Sequence, residues 1–190
     1  MGAAPKTDSL SPEEYLLGEN DRVDGARYEY VNGQVYAMAG VSRNHNRVSG
    51  GVFARLFNHL QGSRCEVFQA DMKVGIRTQR ENRFYYPDVQ VSCADEADNY
   101  YNSSPCLIVE VLSESTARTD RTEKLEAYRL LSSLQEYVLC SQDSPSVEVY
   151  RRRTEWLAER YVAGQNFLLE SVGLEMVVDD LYGFLLNNGK

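Results

Sequence analysis

A mixed α/β fold, with a sheet flanked by helices, is what three features of the chain predict. The apolar pattern alternates with a period of two in some stretches and recurs every three to four residues in others. The resulting order is helix, hairpin, helix, three strand-like runs, helix and further strands, which is neither strict β-α-β alternation nor an all-β pattern. The length of 190 residues, 43% of them hydrophobic and 25% charged, suits one soluble domain with a core that needs no disulfide or metal staple.

Residues 1–8 read as a loose tail. Ser11-Pro12-Glu13-Glu14 starts a helix, with Ser11 as N-cap, Pro12 in the first position and Glu14 completing a capping box. Gly18 and Asn20 keep that helix short. Tyr28 to Tyr36 carries Asn32-Gly33 between two aromatic and β-branched runs, the signature of a hairpin with a type I′ turn. In that register Val31 faces Gln34 and Glu29 faces Tyr36. Residues 44–61 form a helix, because Val48, Val52, Leu56 and Leu60 recur every four residues. Asn44 is positioned to cap it and Gly62 to end it, and a close neighbour would explain Gly50-Gly51.

Three strand-like runs follow, at about 65–76, 83–92 and 106–112. The first two are joined by a polar turn over 78–82, and 94–105 is an acidic loop. A helix over about 117–132 has Leu125, Tyr128 and Leu131 as its apolar stripe. Strands are expected at 136–140, 147–152, 156–161 and 167–170, then a helix over 180–186 that stops at Asn187-Asn188-Gly189. No repeat or linker divides the chain, so residues 1–190 are expected to form a single domain.

Twenty basic residues stand against 28 acidic ones, a net charge of −8. That excludes a protein that coats nucleic acid indiscriminately, but not a local basic cleft. No apolar run approaches the roughly 20 residues of a membrane span, the first residues lack the apolar stretch of a secretory signal, and Lys6 stands where a myristoylation site needs Ser or Thr. A cytoplasmic location is the expectation. Cys65, Cys93, Cys106 and Cys140 include no Cys-x-x-Cys, and His45 and His59 are far apart, so a zinc site is not indicated. Cys106 reads as a small hydrophobe in a reducing compartment.

Glu110 is the most informative residue. It interrupts Cys106-Leu107-Ile108-Val109-Glu110-Val111-Leu112, a run buried on both faces, where an ionised carboxylate needs a cation or a proton. A buried ion pair would serve equally well. Asp88 follows Pro87, which breaks the ladder as at an edge or bulge, and bulges re-aim side chains. A simple turn aspartate is the plain alternative. Lys124 lies four residues after Asp120, three after Arg121 and four before Tyr128, and alone it reads as half of a surface pair with Asp120. Taken together, two carboxylates on adjacent strands and a lysine on the following helix suit an oxygen-liganded Mg²⁺ and metal-assisted phosphodiester hydrolysis.

The residues Tyr28-Glu29-Tyr30-Val31-Asn32-Gly33, His45-Asn46-Arg47, Asp71-Met72-Lys73-Val74, Tyr86-Pro87-Asp88-Val89, Leu107 to Ser113, Ser115-Thr116, Asp120-Arg121, Lys124, Tyr128 and Gln135-Glu136-Tyr137 span nearly the whole chain. This set resembles the Uma-type family of restriction-endonuclease-like proteins in the PD-(D/E)XK nuclease superfamily. The resemblance implies an αβββαβ core with an N-terminal β-hairpin and C-terminal β additions. It also implies Asp88 and Glu110 as metal ligands for Mg²⁺ or Mn²⁺. Leu112 stands where the wider superfamily has the lysine of Glu-x-Lys, and by resemblance that lysine has moved to Lys124. Glu29 is an additional acid near the site, or else packs at the hairpin edge. His45 is a second candidate beside it, or simply a helix-start residue. Asp71 ranks last, as a cap or a partner of Lys73 or Arg77, and Gln90 shares the face of Asp88 as a hydrogen bonder.

The implied activity is a DNA endonuclease in which Arg118, Arg121 and Arg47 meet the phosphate backbone. A homodimer would cover open sheet edges and reach both strands of a duplex. A catalytically inactive nucleic-acid-binding or assembly module of the same fold is the alternative, with the acidic pocket kept as an ion-pair network. A glycosidase using Asp88 and Glu110 fits less well, because Lys124 and a strand-core position favour metal chemistry.

Overall fold

The computed structural model describes residues 9–23 and 25–186, so the expected tail over 1–8 and helix stop at 187–189 lie outside the described residues. Helix α1 (Pro12–Asn20) begins as its sequence dictates. Ser11 Oγ accepts from the Glu14 N–H at 3.2 Å, and Glu14 Oε2 accepts from the Ser11 N–H at 2.9 Å. Strands β1 (Tyr28–Val31) and β2 (Gln34–Ala37) form the expected hairpin, with Val31 opposite Gln34 and Glu29 opposite Tyr36. Its turn needs φ of 47° at Asn32 and 97° at Gly33, and a Cβ on Gly33 would collide with the Ser9 side chain.

Helix α2 (Arg43–Leu60) is capped by Ser42 rather than Asn44, and Ser42 Oγ accepts from the His45 N–H at 3.1 Å. A Cβ placed on Gly51 would meet Arg55, and Leu181 of the last helix, at 3.7 Å, ordinary contact, and nothing lies within 4 Å of a Cβ at Gly50, so no close neighbour accounts for the pair.

The two long runs expected at 65–76 and 83–92 are each broken in two. Strands β3 (Glu66–Gln69) and β6 (Val89–Ser92) pair in a six-stranded sheet, while β4 (Lys73–Arg77) and β5 (Asn82–Tyr85) pair in a five-stranded one. The pair is therefore one long hairpin folded across two sheets. Its bend has physical causes: Pro87 has no N–H to give to a ladder, and Ala70 adopts φ 53°. The two halves of the bend are tied by the Ala70 N–H to the Asp88 carbonyl at 3.1 Å. Glu29 Oε1 accepts from the Tyr86 N–H at 3.2 Å, and the Tyr86 hydroxyl donates to Glu19 Oε1 at 3.0 Å.

Within the expected loop, β7 (Tyr101–Asn102) adds a short parallel edge to β4. Strand β8 (Pro105–Leu112) runs antiparallel to β6 and parallel to β9 (Glu136–Ser141). Strands β10 (Ser146–Arg151) and β11 (Ala158–Val162) complete the six-stranded sheet in the order β11-β10-β9-β8-β6-β3. A ribbon of β12 (Asn166–Leu169) and β13 (Leu174–Val177) follows, of which β13 was not expected.

The helical segment α3 (117–128) is shorter than the expected 117–132. Its centre, Asp120–Lys124, is a π-helical turn between two α-helical pieces. Helix α4 (Val178–Leu186) closes the described chain.

The alternation of β8 sorts the core. Leu107, Val109 and Val111 pack with Val48, Val52 and Leu56 of α2 on one face, while Ile108 and Leu112 pack with Leu125 and Tyr128 of α3 on the other. Glu110 occupies the inward position between Ile108 and Leu112. Cys65 and Cys93, one step beyond the Glu66–Ser92 pair of β3 and β6, form a disulfide, although the core was not expected to need one. Their 28-residue separation hid this, because only the β3–β6 pairing brings them together. Cys106 keeps a free thiol 3.6 Å from Cys93 Sγ, and burial raises its pKa to about 11. No helix among the described residues is long and apolar enough to cross a membrane.

The C-terminal ribbon is held by buried charge. Arg151 lies opposite Glu136 across β10 and β9, its Nε 3.0 Å from Glu136 Oε1, and its Nη2 donates to the Leu168 carbonyl at 2.6 Å. Glu136 Oε2 in turn accepts from the Ser171 N–H at 2.7 Å. Arg151→Met strands that carboxylate and should cost about 3–5 kcal/mol in urea unfolding, while pairing it with Glu136→Leu should recover most of the loss.

Candidate active site

Asp88, Glu29, Glu110 and Lys124 come from four different places and meet in one notch. The hairpin bend supplies Asp88, β1 supplies Glu29 from one sheet, β8 supplies Glu110 from the other, and α3 supplies Lys124. Lys124 Nζ lies 3.0 Å from Glu29 Oε1, 3.2 Å from Glu110 Oε1 and 3.6 Å from Asp120 Oδ1. The Tyr128 hydroxyl donates to Glu110 Oε1 at 3.0 Å, and the Asp88 N–H points to Glu110 Oε2 at 3.4 Å. Asp88 Oδ2 accepts from the Val111 N–H at 2.6 Å and lies 3.2 Å from His45 Nε2. Each carboxylate is thus held in place by backbone or by a neighbouring side chain.

The π-helical turn makes this geometry possible. Four residues of α-helix overshoot a full turn by about 40°, so Asp120, Lys124 and Tyr128 would drift around a regular helix. A wider turn cancels part of that drift, and all three are buried on the side facing β8. Beneath them Tyr85, Tyr128, Tyr137 and Tyr150 form a chain of ring contacts, and the Tyr85 centroid is 5.4 Å from Lys124 Nζ.

These groups line a cavity of about 830 Å³ with Tyr36, Met38, Val41, Ser42, Ser113 and Thr116 at its walls and mouth. Its charge is lopsided: five carboxylates, from Glu29, Asp88, Glu110, Glu114 and Asp120, share the lining with one ammonium. Burial drives the Glu110 carboxyl well above the ordinary carboxylate range, the charges of Asp120, Asp88 and Glu29 push the same way, and Lys124 opposes them. Burial also raises Asp120 against the pull of Lys124 and a hydrogen bond from Thr116. For Lys124, burial works against the charge, but Glu110, Glu29 and Asp120 outweigh it and hold its pKa well above the ordinary value.

A family model described as "putative restriction endonuclease", Uma2, matches residues 12–180. The chain belongs to the Uma2 family. Two relatives come from Synechocystis sp. strain PCC 6803. The uncharacterized protein slr1290 is 38% identical over 177 residues, which cover 91% of each chain. The uncharacterized protein sll1609 is 33% identical over 177 residues, covering 90% of this chain and 97% of its own. Among solved structures, a crystal structure described as a putative nuclease of DUF820 from Anabaena variabilis superposes with a TM-score of 0.67 at 18% identity. It covers 83% of this chain and 90% of its own. The Uma2 assignment and that likeness agree on a restriction-endonuclease-like fold.

Of the residues singled out in this Uma2 chain, Asp88, Glu110, Lys124, Glu29 and His45 line the cavity. Gln90 does not. Its amide donates to the Met72 carbonyl at 2.7 Å and accepts from Asn102 at 3.2 Å, so it braces the bend from the far side. The three arginines lie outside the cavity lining. Arg121 is held by Glu148 through Nη2 at 3.0 Å and Nε at 3.1 Å, the Arg47 guanidinium sits 5.2 Å above the Phe184 ring, and Arg118 is exposed on the first turn of α3. Asp71 pairs with Arg27 instead of Lys73 or Arg77. Asp120 is the residue that sequence reasoning undervalued. Its i,i+4 spacing to Lys124 reads as a surface pair, yet both are buried and Asp120 Oδ1 accepts no hydrogen bond.

A carboxyl whose pKa is raised by folding stabilises the fold below its unfolded value and loses that contribution as pH climbs through the folded one. Glu110 therefore weakens the metal-free protein progressively above about pH 4.5. Glu110→Gln should raise the melting temperature of chelator-treated protein at pH 7–8 by a few degrees and flatten its decline between pH 5 and 8, as followed by circular dichroism.

Proposed function

We propose that this protein is a Mg²⁺-dependent endonuclease hydrolysing phosphodiester bonds of DNA. The observation that carries the reading is the convergence of Asp88, Glu110 and Lys124, three charged groups from separate elements, in one cavity. The donor set fits the ion: adjacent carboxylates offer hard oxygen ligands, and the surplus of negative charge calls for a divalent partner. Asp88 and Glu110 would hold the ion, with water completing its shell, as Mg²⁺ allows. When bound, Mg²⁺ supplies Lewis-acid stabilisation of charge on a phosphoryl group.

The remaining work falls to the chain's own side chains. The Val111 N–H and His45 fix the rotamer of Asp88, so one ligand is oriented before any ion arrives. Lys124 presents a protonated amine beside Glu110, where it orients the attacking water and offsets the negative charge that grows on the phosphate. Glu29 and Asp120 keep that amine charged and in place, and Glu29 also ties it to the bend through the Tyr86 N–H.

Plasmid and oligonucleotide DNA should be cut with Mg²⁺ or Mn²⁺ and left intact with EDTA. Asp88→Asn, Glu110→Gln and Lys124→Ala should each slow cutting about a hundredfold or more with the fold unchanged by circular dichroism. Asp120→Asn should slow it less, about tenfold, because Glu29 still holds the lysine. If calorimetry finds no Mg²⁺ or Mn²⁺ binding and no DNA is cut, the cluster is an ion-pair network in a binding or assembly module.

A further inference from the structure

The wall of the cavity opposite the charged groups has a different chemistry. Tyr36 stands directly across the hairpin from Glu29, so the two side chains project from the same face of the ribbon with their Cβ atoms about 5 Å apart. Glu29 reaches Lys124 at 3.0 Å, and Tyr36 lines the same space. Tyr36 is 56% exposed, Met38 38% and Val41 59%, and all three line the cavity. Large apolar side chains left open beside a charged site have no packing role in the core clusters of the fold.

The same lining lacks what a duplex reader needs. Affinity for double-stranded DNA comes largely from rows of lysine and arginine on both phosphate backbones. Among the described residues, Lys124 is the only lysine or arginine in this lining, and three carboxylates already surround it. Arg121 is bound to Glu148, Arg47 lies over Phe184, and Arg118, though exposed, lies outside the lining. The net charge of −8 adds no long-range attraction. Single strands also need positive charge along the backbone, but stacking of bases on aromatic side chains adds about 1–3 kcal/mol per base, a contribution a closed duplex cannot make in such a cavity. A cavity of about 830 Å³ falls within the usual size of ligand pockets, roughly 300–1,000 Å³.

We propose that this cavity takes an unpaired nucleotide, its base stacked on Tyr36 beside Met38 and its phosphate against Asp88, Glu110 and Lys124, so that single-stranded or locally unpaired DNA is the preferred substrate. This rests on the nuclease reading for the phosphate half and on the Tyr36 wall for the base half. Tyr36 sets specificity and takes no part in the chemistry.

The test uses a short single strand carrying 2-aminopurine, whose fluorescence is quenched on stacking, with Ca²⁺ replacing Mg²⁺ and the full-length protein. Wild type and Tyr36→Phe should quench it saturably. Tyr36→Ala, an exposed change that leaves circular dichroism unaltered, should weaken binding about tenfold and remove most of the quench. The same base in a mismatched bubble should be quenched, and in a perfect duplex it should not. Equal binding by Tyr36→Ala and wild type, or absence of any quench, overturns the proposal. If wild type and Tyr36→Ala cut perfect duplex as fast as single strand in Mg²⁺, the base pocket is wrong and the nuclease reading stands. Stacking on Tyr36 with no cleavage of any DNA keeps the base pocket and removes the nuclease.

Discussion

Glu110 occupies a place on β8 where the alternation of the strand calls for a hydrocarbon, between Ile108 and Leu112 and against the face of α3. Around that substitution the surrounding structure is arranged. A carboxylate in such surroundings must be neutralised, hydrogen-bonded or paired. Tyr128 bonds one of its oxygens, Lys124 sits beside the same oxygen, and the Asp88 N–H approaches the other. Lys124 is itself buried and requires Glu29 and Asp120 in turn. Unlike a surface salt bridge, this network is largely buried and mutually dependent, so loss of Lys124 leaves the surrounding carboxylates uncompensated. A buried charge cluster of this kind adds little stability, and that is a physical ground on which the catalytic proposal rests.

The second requirement is the bend in the β3–β4 and β5–β6 hairpin. Had those strands run straight, Asp88 would have pointed along one continuous sheet and Glu29 would have belonged to a distant edge. Pro87 and the positive φ of Ala70 end one sheet and begin the other, and the carboxylate at the break is carried into the gap between them. Glu29, Glu19, Lys73 and Gln90 all make bonds at or near this bend. Glu29, expected near the chemistry, and Gln90, expected as a hydrogen bonder to the site, are thus also fastenings of the corner.

What was legible in the chain follows from how local each signal is. The hairpin register, the capping box at Ser11, the stripe of α2 and the order of the main strands depend on neighbours in sequence, and they came out as expected. Glu110 was legible because a single charge in an apolar run is conspicuous. Asp120 was not, since burial of an i,i+4 pair depends on what the helix packs against. Neither the division of two long strands between two sheets nor the Cys65–Cys93 bridge is encoded locally, because each depends on pairing between distant segments. Arg121, expected as a phosphate contact under the nuclease reading, is held by Glu148, 27 residues further on, a pairing that no local pattern announces.

The wide turn in α3 ties the helix's residue count to the chemistry below it. It contains one more residue than the regular spiral would use, and that surplus keeps Asp120, Lys124 and Tyr128 in phase over Glu110. Loss of one residue between positions 120 and 124 would restore regular pitch, swing the aromatic hydroxyl away from the acid and leave the amine facing a different neighbour. The length of this segment is thus coupled to the side chains it presents, whereas the exposed loops on either side of the sheet carry no such coupling.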